Sequence, residues 1–363
     1  MKKHICLVFL LLLVFSEAFL KKYLQYSPSL QSIYPYIAPP LILIFVASVT
    51  GIIACLRKDN LSTTLWDEFT TPIQSLRKEY WILAGILLIG IFFRFWKLDS
   101  LFSGMTYDEA YKGLDGIAIR KFGERPIFLD WNGGREALVA YLVAISQTFF
   151  DYSILSVRII TPIMNCLLLI FFYLFAKTIF NSRVALLSTF LLAVSKWSII
   201  HSRYGVRAGQ FTVFEIAVLY FVARGIASEK KNSWSFVIAG VIGGLGFYTY
   251  IGYRVFPLIL LSFLLQKNVF QKLKNHKKTI IAGCIAGLVI VAPVAKFYLE
   301  HRASMTDRMK KTLVWNQKGP EYAGINPALL VLRSTKDTLG MFTYKGDTIS
   351  RHNVEIEPML SPF

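Results

Sequence analysis

The chain has 363 residues, 55% of them hydrophobic and 15% aromatic, with a formal net charge of +18 and a mean hydropathy of +0.50. Soluble domains are less apolar, at about 45–50% with glycine counted, and here the apolar residues come in long blocks. That excludes a soluble enzyme and predicts an all-α polytopic membrane protein. The basic excess sits in loops between the blocks, where the positive-inside rule accounts for it without nucleic acid. Cys6, Cys55, Cys166 and Cys284 have no paired spacing, which excludes a disulfide framework and a cysteine zinc site.

A spanning helix needs roughly 17–25 mostly apolar residues. In chain order the predicted spans are 4–20, 36–56, 81–97, 156–176, 184–200, 210–224, 234–250, 253–266 and 279–298. The opening "MKKHICLVFLLLLVFSEAF" has the layout of a signal peptide but no convincing small-residue cleavage site, so it is read as a retained helix. Segment 136–150 is short and follows a polar loop; it is predicted to lie along the membrane surface.

The charges set the orientation. Arg57, Lys58, Arg77 and Lys78, then Lys177 and Arg183, then Arg224, Lys230 and Lys231, then the stretch "QKNVFQKLKNHKK" at 266–278, all fall on one side. That side is predicted to be cytoplasmic; Lys21 and Lys22 oppose the assignment. The external face then receives the loop 98–155, "HSRYGVR" at 201–207, "YIGYR" at 250–254 and the tail from Glu300.

Carboxylates, arginines and tyrosines thus collect on the external face. In "MTYDEAYKGLDG" (105–116), Thr106 and Glu109 have capping-box spacing and predict a helix start. Asp108, Tyr111, Lys112 and Asp115 share one face of that helix. Asp108 is the candidate base, directly or by holding a divalent metal. Glu109 is its capping partner or a second ligand. Arg203 and Arg207, four apart, are predicted to share a helical face as a clamp on a donor phosphate, with Arg254 beside them; simple snorkelling is the alternative. Tyr111, His201, Tyr204, Asp347 and His352 are candidates for acceptor binding or support. His352 has no metal-spaced partner. Arg94 and Glu215 lie inside apolar stretches and should face the protein interior or water.

The series "RFWKLDSLFSGMTYDEAYKGLDG", "ERPIFLDWNGGREALVAYLVAIS", "SVRIITPIMN", "AVSKWSIIHSRYGVRAG" and "GLGFYTYIGYRVFPL" resembles bacterial members of glycosyltransferase family 39. That family includes protein O-mannosyltransferases and is related to the aminoarabinose transferases of lipid A. "MFTYKGDTISRHNVEIEPML" resembles an external loop of the same proteins. The resemblance runs from about Tyr80 to the end. It implies a GT-C transmembrane bundle with interfacial helices, here 110–122 and 136–150, in its first large external loop.

It also implies a bacterial plasma-membrane enzyme. A polyprenyl-phosphate sugar would be the donor, a lipid, glycan or protein hydroxyl the acceptor, and the anomeric carbon would be inverted. The acidic pair of the family falls on Asp108 and Glu109, and its arginines fall on Arg203 and Arg207. Three regions are expected: an added N-terminal hairpin and linker (1–80), a catalytic core (81–298) and an external region (299–363). The family usually continues with more helices, so the resemblance leads to an expectation of C-terminal truncation. The competing readings are a transporter or flippase of polyprenyl-linked saccharides, and an inactive fragment.

Overall fold

Apolar side chains at helical spacing give this chain its shape, and in the computed structural model nearly every described segment is a helix. The structure describes residues 78–100, 104–131, 134–205, 207–265, 267–301, 324–343 and 346. The predicted spans 4–20 and 36–56 lie outside them. The chain divides into two units, Met1–Ala84 and Gly85–Phe363. Of the first, only 78–84 are described, as the opening turns of helix α1 (Lys78–Phe95).

The second unit continues with α2 (Tyr107–Phe122), a small antiparallel hairpin of β1 (Phe128–Leu129) and β2 (Arg135–Glu136), and α3 (Leu138–Phe150). Next come α4 (Ile154–Arg158), α5 (Ile160–Ile179), α6 (Ser182–Val194) and α7 (Lys196–Arg203). A 3-10 turn at Arg207–Gly209 leads into α8 (Thr212–Ala227), and α9 (Ser235–Gly246) follows. A second 3-10 turn, Ile251–Val255, opens α10 (Phe256–Leu264), followed by α11 (Lys267–Leu273), α12 (Lys277–Glu300) and α13 (Pro327–Thr343).

Among the described residues two continuous stretches are long and apolar enough to cross a bilayer, and their burial separates their roles. The most apolar 18 residues of Ile154–Ile179 are 61% buried and form the centre of the bundle, whereas those of Val269–Glu300 are only 11% buried. A 32-residue apolar helix this bare, with Leu288 and Val289 outward, is stable in lipid and not in water. The protein is an all-α membrane protein.

Several predicted spans come out differently. Segment 210–224 is helical as α8, displaced by two to three residues, and segments 234–250 and 253–266 are helical as the shorter α9 and α10. The single span predicted at 184–200 is a correction: the helix breaks at Ser195 and bends by 56°. Ser195 adopts φ −59°, ψ 120° and turns its side chain to accept from the Ser198 N–H at the start of α7. A break inside a membrane bundle leaves carbonyls without helical partners. Arg94, fully buried at the end of α1, supplies the donors: its Nη1 reaches Ala193 O at 2.9 Å, and its Nη2 reaches Leu192 O at 3.3 Å and Ser198 Oγ at 2.8 Å. The ionisable residue in an apolar run does face the protein interior.

Helices α9 and α12 meet backbone to backbone. A Cβ at Gly240 would overlap the Gly283 carbonyl, and one at Gly283 would overlap the Phe236 carbonyl. At the next turn, a Cβ at Gly244 would stand 2.9 Å from Gly287 O, and one at Gly287 2.9 Å from Gly240 O. Small residues four apart on both helices permit this approach, and in lipid close packing replaces the hydrophobic drive. Gly283→Ala is therefore expected to destabilise the protein by about 1–3 kcal/mol through overpacking. Gly85→Ala in α1, where nothing lies within 4 Å, is expected to be neutral or to stabilise by up to about 1 kcal/mol. Unfolding midpoints in detergent micelles check both; equal midpoints for the two variants would reject the seam.

Candidate functional site

Helix α2 starts as its residues dictate. Thr106 Oγ1 accepts from the Glu109 N–H at 3.3 Å, and Glu109 Oε2 accepts from the Thr106 N–H at 2.8 Å, closing a capping box. The helix stops at Gly123, whose φ of +71° suits a residue without Cβ.

Glu109 does more than cap. It is buried, and the fully buried Arg158 at the end of α4 donates to it through Nε at 2.7 Å and Nη2 at 3.2 Å. The remaining Arg158 donors reach Leu98 O at 3.3 Å and Gly104 O at 2.6 Å. The Gly205 N–H adds a long contact to Oε1 at 3.4 Å. Burial alone would raise the Glu109 pKa, but the hydrogen bonds from Arg158 and Thr106 and the Arg158 charge bring it below the ordinary carboxylate value.

Nearly two turns further on, Asp115 holds Arg135 of β2 in a two-pronged pair, at 2.8 and 3.0 Å. The guanidinium also lies over Trp131 at 4.8 Å and Tyr111 at 5.5 Å. Burial lifts the Asp115 carboxyl to about 6, against the pull of Arg135 and Arg207. Glu136, the neighbour of Arg135, gathers two more cations: Arg254 Nη2 at 3.1 Å and Arg207 Nη1 at 3.6 Å. Arg254 also donates to the Tyr298 hydroxyl and lies over that ring at 4.5 Å.

The predicted site residues are thus partly gathered. Asp108 is half-buried in the first turn of α2, where the helix dipole favours its charge. Tyr111 takes a hydrogen bond from the Tyr107 hydroxyl at 2.7 Å and abuts Trp131. Tyr204 is buried and feels the charges of Glu109 and Arg158. Glu136 brings Arg207 and Arg254 together.

Arg203 is a correction. The chain leaves the helix at Tyr204 with φ −76°, ψ 132°, so Arg203 and Arg207 do not share a helical face. Arg203 instead donates to the carbonyls of Phe93 at 2.6 Å, Trp96, and Lys97 at 3.3 Å, closing the end of α1. His201 Nδ1 lies 3.1 Å from Trp197 O, within its own helix. Asp347 and His352 lie outside the described residues. Among the described residues no group of three or more His, Cys, Asp or Glu side chains could hold a metal ion, so the metal considered for Asp108 has no ligand set there.

Sequence reasoning passed over Arg135, Glu136 and Arg158, each almost fully buried. The available signal was a charge directly before an apolar run, which needs a partner for the same reason as one inside it.

An all-α membrane bundle with charged residues gathered beside its short surface helices fits the GT-C class of membrane glycosyltransferases. Residues 137–297 match the family described as Dolichyl-phosphate-mannose-protein mannosyltransferase. The match supports a glycosyltransferase of that class. It includes Arg158, Arg203, Arg207 and Arg254 but not α2 with Asp108 and Glu109. No curated protein matches the chain.

Glu109→Gln keeps a capping side chain but leaves Arg158 buried without a counter-charge. Breaking such a pair typically costs about 3–5 kcal/mol, so the variant is expected to lose stability on that scale rather than mildly. The depressed Glu109 pKa also fixes a sign. Its contribution is present above the unfolded carboxyl value of about 4.3 and is lost as pH falls through the lower folded value. Chemical unfolding of parent and Glu109→Gln from pH 7 to pH 3 should converge at the acid end; parallel curves would reject the pair as a stabilising contact.

Proposed function

We propose that the protein is a family 39-like glycosyltransferase. In this reading it moves a sugar from a polyprenyl-phosphate donor to an acceptor hydroxyl of a lipid, glycan or protein, at the external face of a bacterial plasma membrane. One observation carries the reading. Asp108, a half-buried carboxylate at a helix start, shares a face of α2 with Lys112 and Asp115, and Asp115 and Glu136 hold Arg135, Arg207 and Arg254. A proton acceptor thus stands beside a set of phosphate-binding cations, and transfer from a sugar phosphate needs both groups together.

The reaction follows from these groups. The acceptor oxygen attacks the anomeric carbon while its proton passes to the Asp108 carboxylate. The bond from that carbon to the phosphate oxygen breaks, and its electron pair leaves with the phosphate. Direct displacement inverts the carbon. Arg207 and Arg254 face the departing phosphate, held in position by Glu136. Guanidinium groups suit the task because they stay charged and bind phosphate oxygens in a fork. Arg203 has no part in this step, and no step runs through a metal.

Purified protein supplied with a short-chain polyprenyl-phosphate sugar tests the reading. Asp108→Asn is expected to lower turnover by about 10²–10⁴-fold, the usual general-base contribution, with the unfolding midpoint unchanged. Parental turnover in that variant would remove Asp108 from the chemistry, and translocation without sugar transfer would favour a flippase.

The external placement is tested separately. A cysteine at Glu124, exposed in the loop after α2, should react with an impermeant thiol reagent in intact cells. One at Asn275, exposed in the basic loop, should react only after lysis. The reverse pattern would place the candidate site on the cytoplasmic side.

A further inference from the structure

Lys112 is only 3% exposed, although its flexible stem would ordinarily carry the ammonium to water. Its Nζ has no hydrogen-bond partner among the described residues. Burying such a group without a partner is costly. Glu109 and Asp108 favour its charge but accept no hydrogen bond from it. Both Glu109 oxygens are occupied by Arg158, Thr106 and Gly205. At residue 205 there is only glycine: a Cβ there would stand 3.6 Å from Nζ and 3.5 Å from Glu109 Oε1, so residue 205 itself brings no side-chain acceptor to the ammonium.

The charge balance points the same way. Asp115 is matched by Arg135, and Glu109 by Arg158. Glu136 serves both Arg207 and Arg254. Of the described cations in this cluster, Lys112 is the one without an ion pair. Nζ is a buried donor lacking a hydrogen bond; Arg135 Nε is another, but the rest of that guanidinium is held by Asp115, whereas Nζ is the whole head group of Lys112.

We propose that Lys112 Nζ is the hydrogen-bond donor that receives an anionic phosphate oxygen at this site. The inference rests on the transferase reading above and adds to it a contact made with the phosphate itself. Lys112 is then a binding residue that the protein keeps despite its burden on the fold.

The electrostatics agree. Burial, then the Arg207 charge, draw the Lys112 pKa down to about 7, with Arg135 adding to the effect and Glu109 and Asp108 opposing it. The folded value lies below the unfolded one, so the charged form weighs against folding. That burden is full below pH 7 and vanishes as pH rises towards the unfolded value of about 10.4. A bound anion would restore the proton.

The experiment compares the parent with Lys112→Met, using short-chain polyprenyl phosphate, the leaving group whatever the sugar. At pH 6 the variant should bind at least about tenfold more weakly, the scale of a charged hydrogen bond. Its unfolding midpoint should equal or exceed the parent's, because Met fills the space without a charge. The parent-to-variant affinity ratio should shrink by pH 8.5, and the titration of the phosphate itself cancels in that ratio.

Equal affinities at both pH values would overturn the contact while leaving the transferase reading in place. A destabilised variant with parental affinity would likewise overturn it, making Lys112 structural. Lys112→Gln provides a second test of the affinity loss if Met does not fold. No binding by the parent at either pH would overturn the transferase reading and this inference together. Inorganic phosphate, tested in parallel at pH 6, distinguishes the source: tighter binding of the lipid form supports a lipid headgroup. Equal binding supports the Nζ contact but assigns it to free phosphate.

Discussion

The buried pair of Arg158 and Glu109 is the constraint on which the rest of the site depends. Arg158 ends the short helix that runs on into the central span, and Glu109 opens the first surface helix. Their bond ties α2 to the central span. Neither charge tolerates isolation at this depth. The pairing therefore specifies where α2 begins, which way Asp108 points its helix turn, and where Arg135 must come to meet Asp115. Adjacent carboxylates have separate duties as a result: Glu109 is committed to the architecture, and Asp108 stays at its edge.

A second layer of order comes from carbonyls rather than carboxylates. Arg94 and Arg203 both direct their guanidinium groups at backbone oxygens near helix ends. In water such ends are satisfied by solvent, but inside a membrane bundle the protein must supply the donors. This explains why a highly basic chain buries several of its arginines. It also explains why a basic residue at a membrane boundary is an ambiguous sign of ligand binding. Arg207 and Arg254 meet an acidic side chain, whereas Arg203 meets main chain, and nothing in their spacing distinguished them.

What could be read in advance was what is local. The Thr106–Glu109 box, the shared face of Asp108 and Lys112, and most apolar helices follow from neighbours a few residues apart. The bend at Ser195 was hidden because "LLAVSKWSII" resumes its apolar run within a few residues and has no Gly or Pro to mark the break; the donor that satisfies it, Arg94, lies 99 residues away from Ala193. The partners of Glu109 and Glu136 are similarly remote. Gly240 with Gly244, and Gly283 with Gly287, did stand in the sequence as small residues four apart. Their meaning depended on knowing which helices meet.

That glycine seam makes α12 a lever. The helix has its outer faces in lipid and its close backbone contact at Gly283 and Gly287, while Tyr298, the partner of Arg254, lies near its far end. From Gly283 to Tyr298 the helix rises about 22 Å at 1.5 Å per residue, so a tilt of about 5° at the seam carries the hydroxyl through roughly 2 Å. The fluid hydrocarbon on the outer side offers little resistance to such a swing. Seam and cluster are thus two ends of one helix, joined through Pro293, and the contact of Arg254 with Tyr298 depends on how that helix is seated at its glycines.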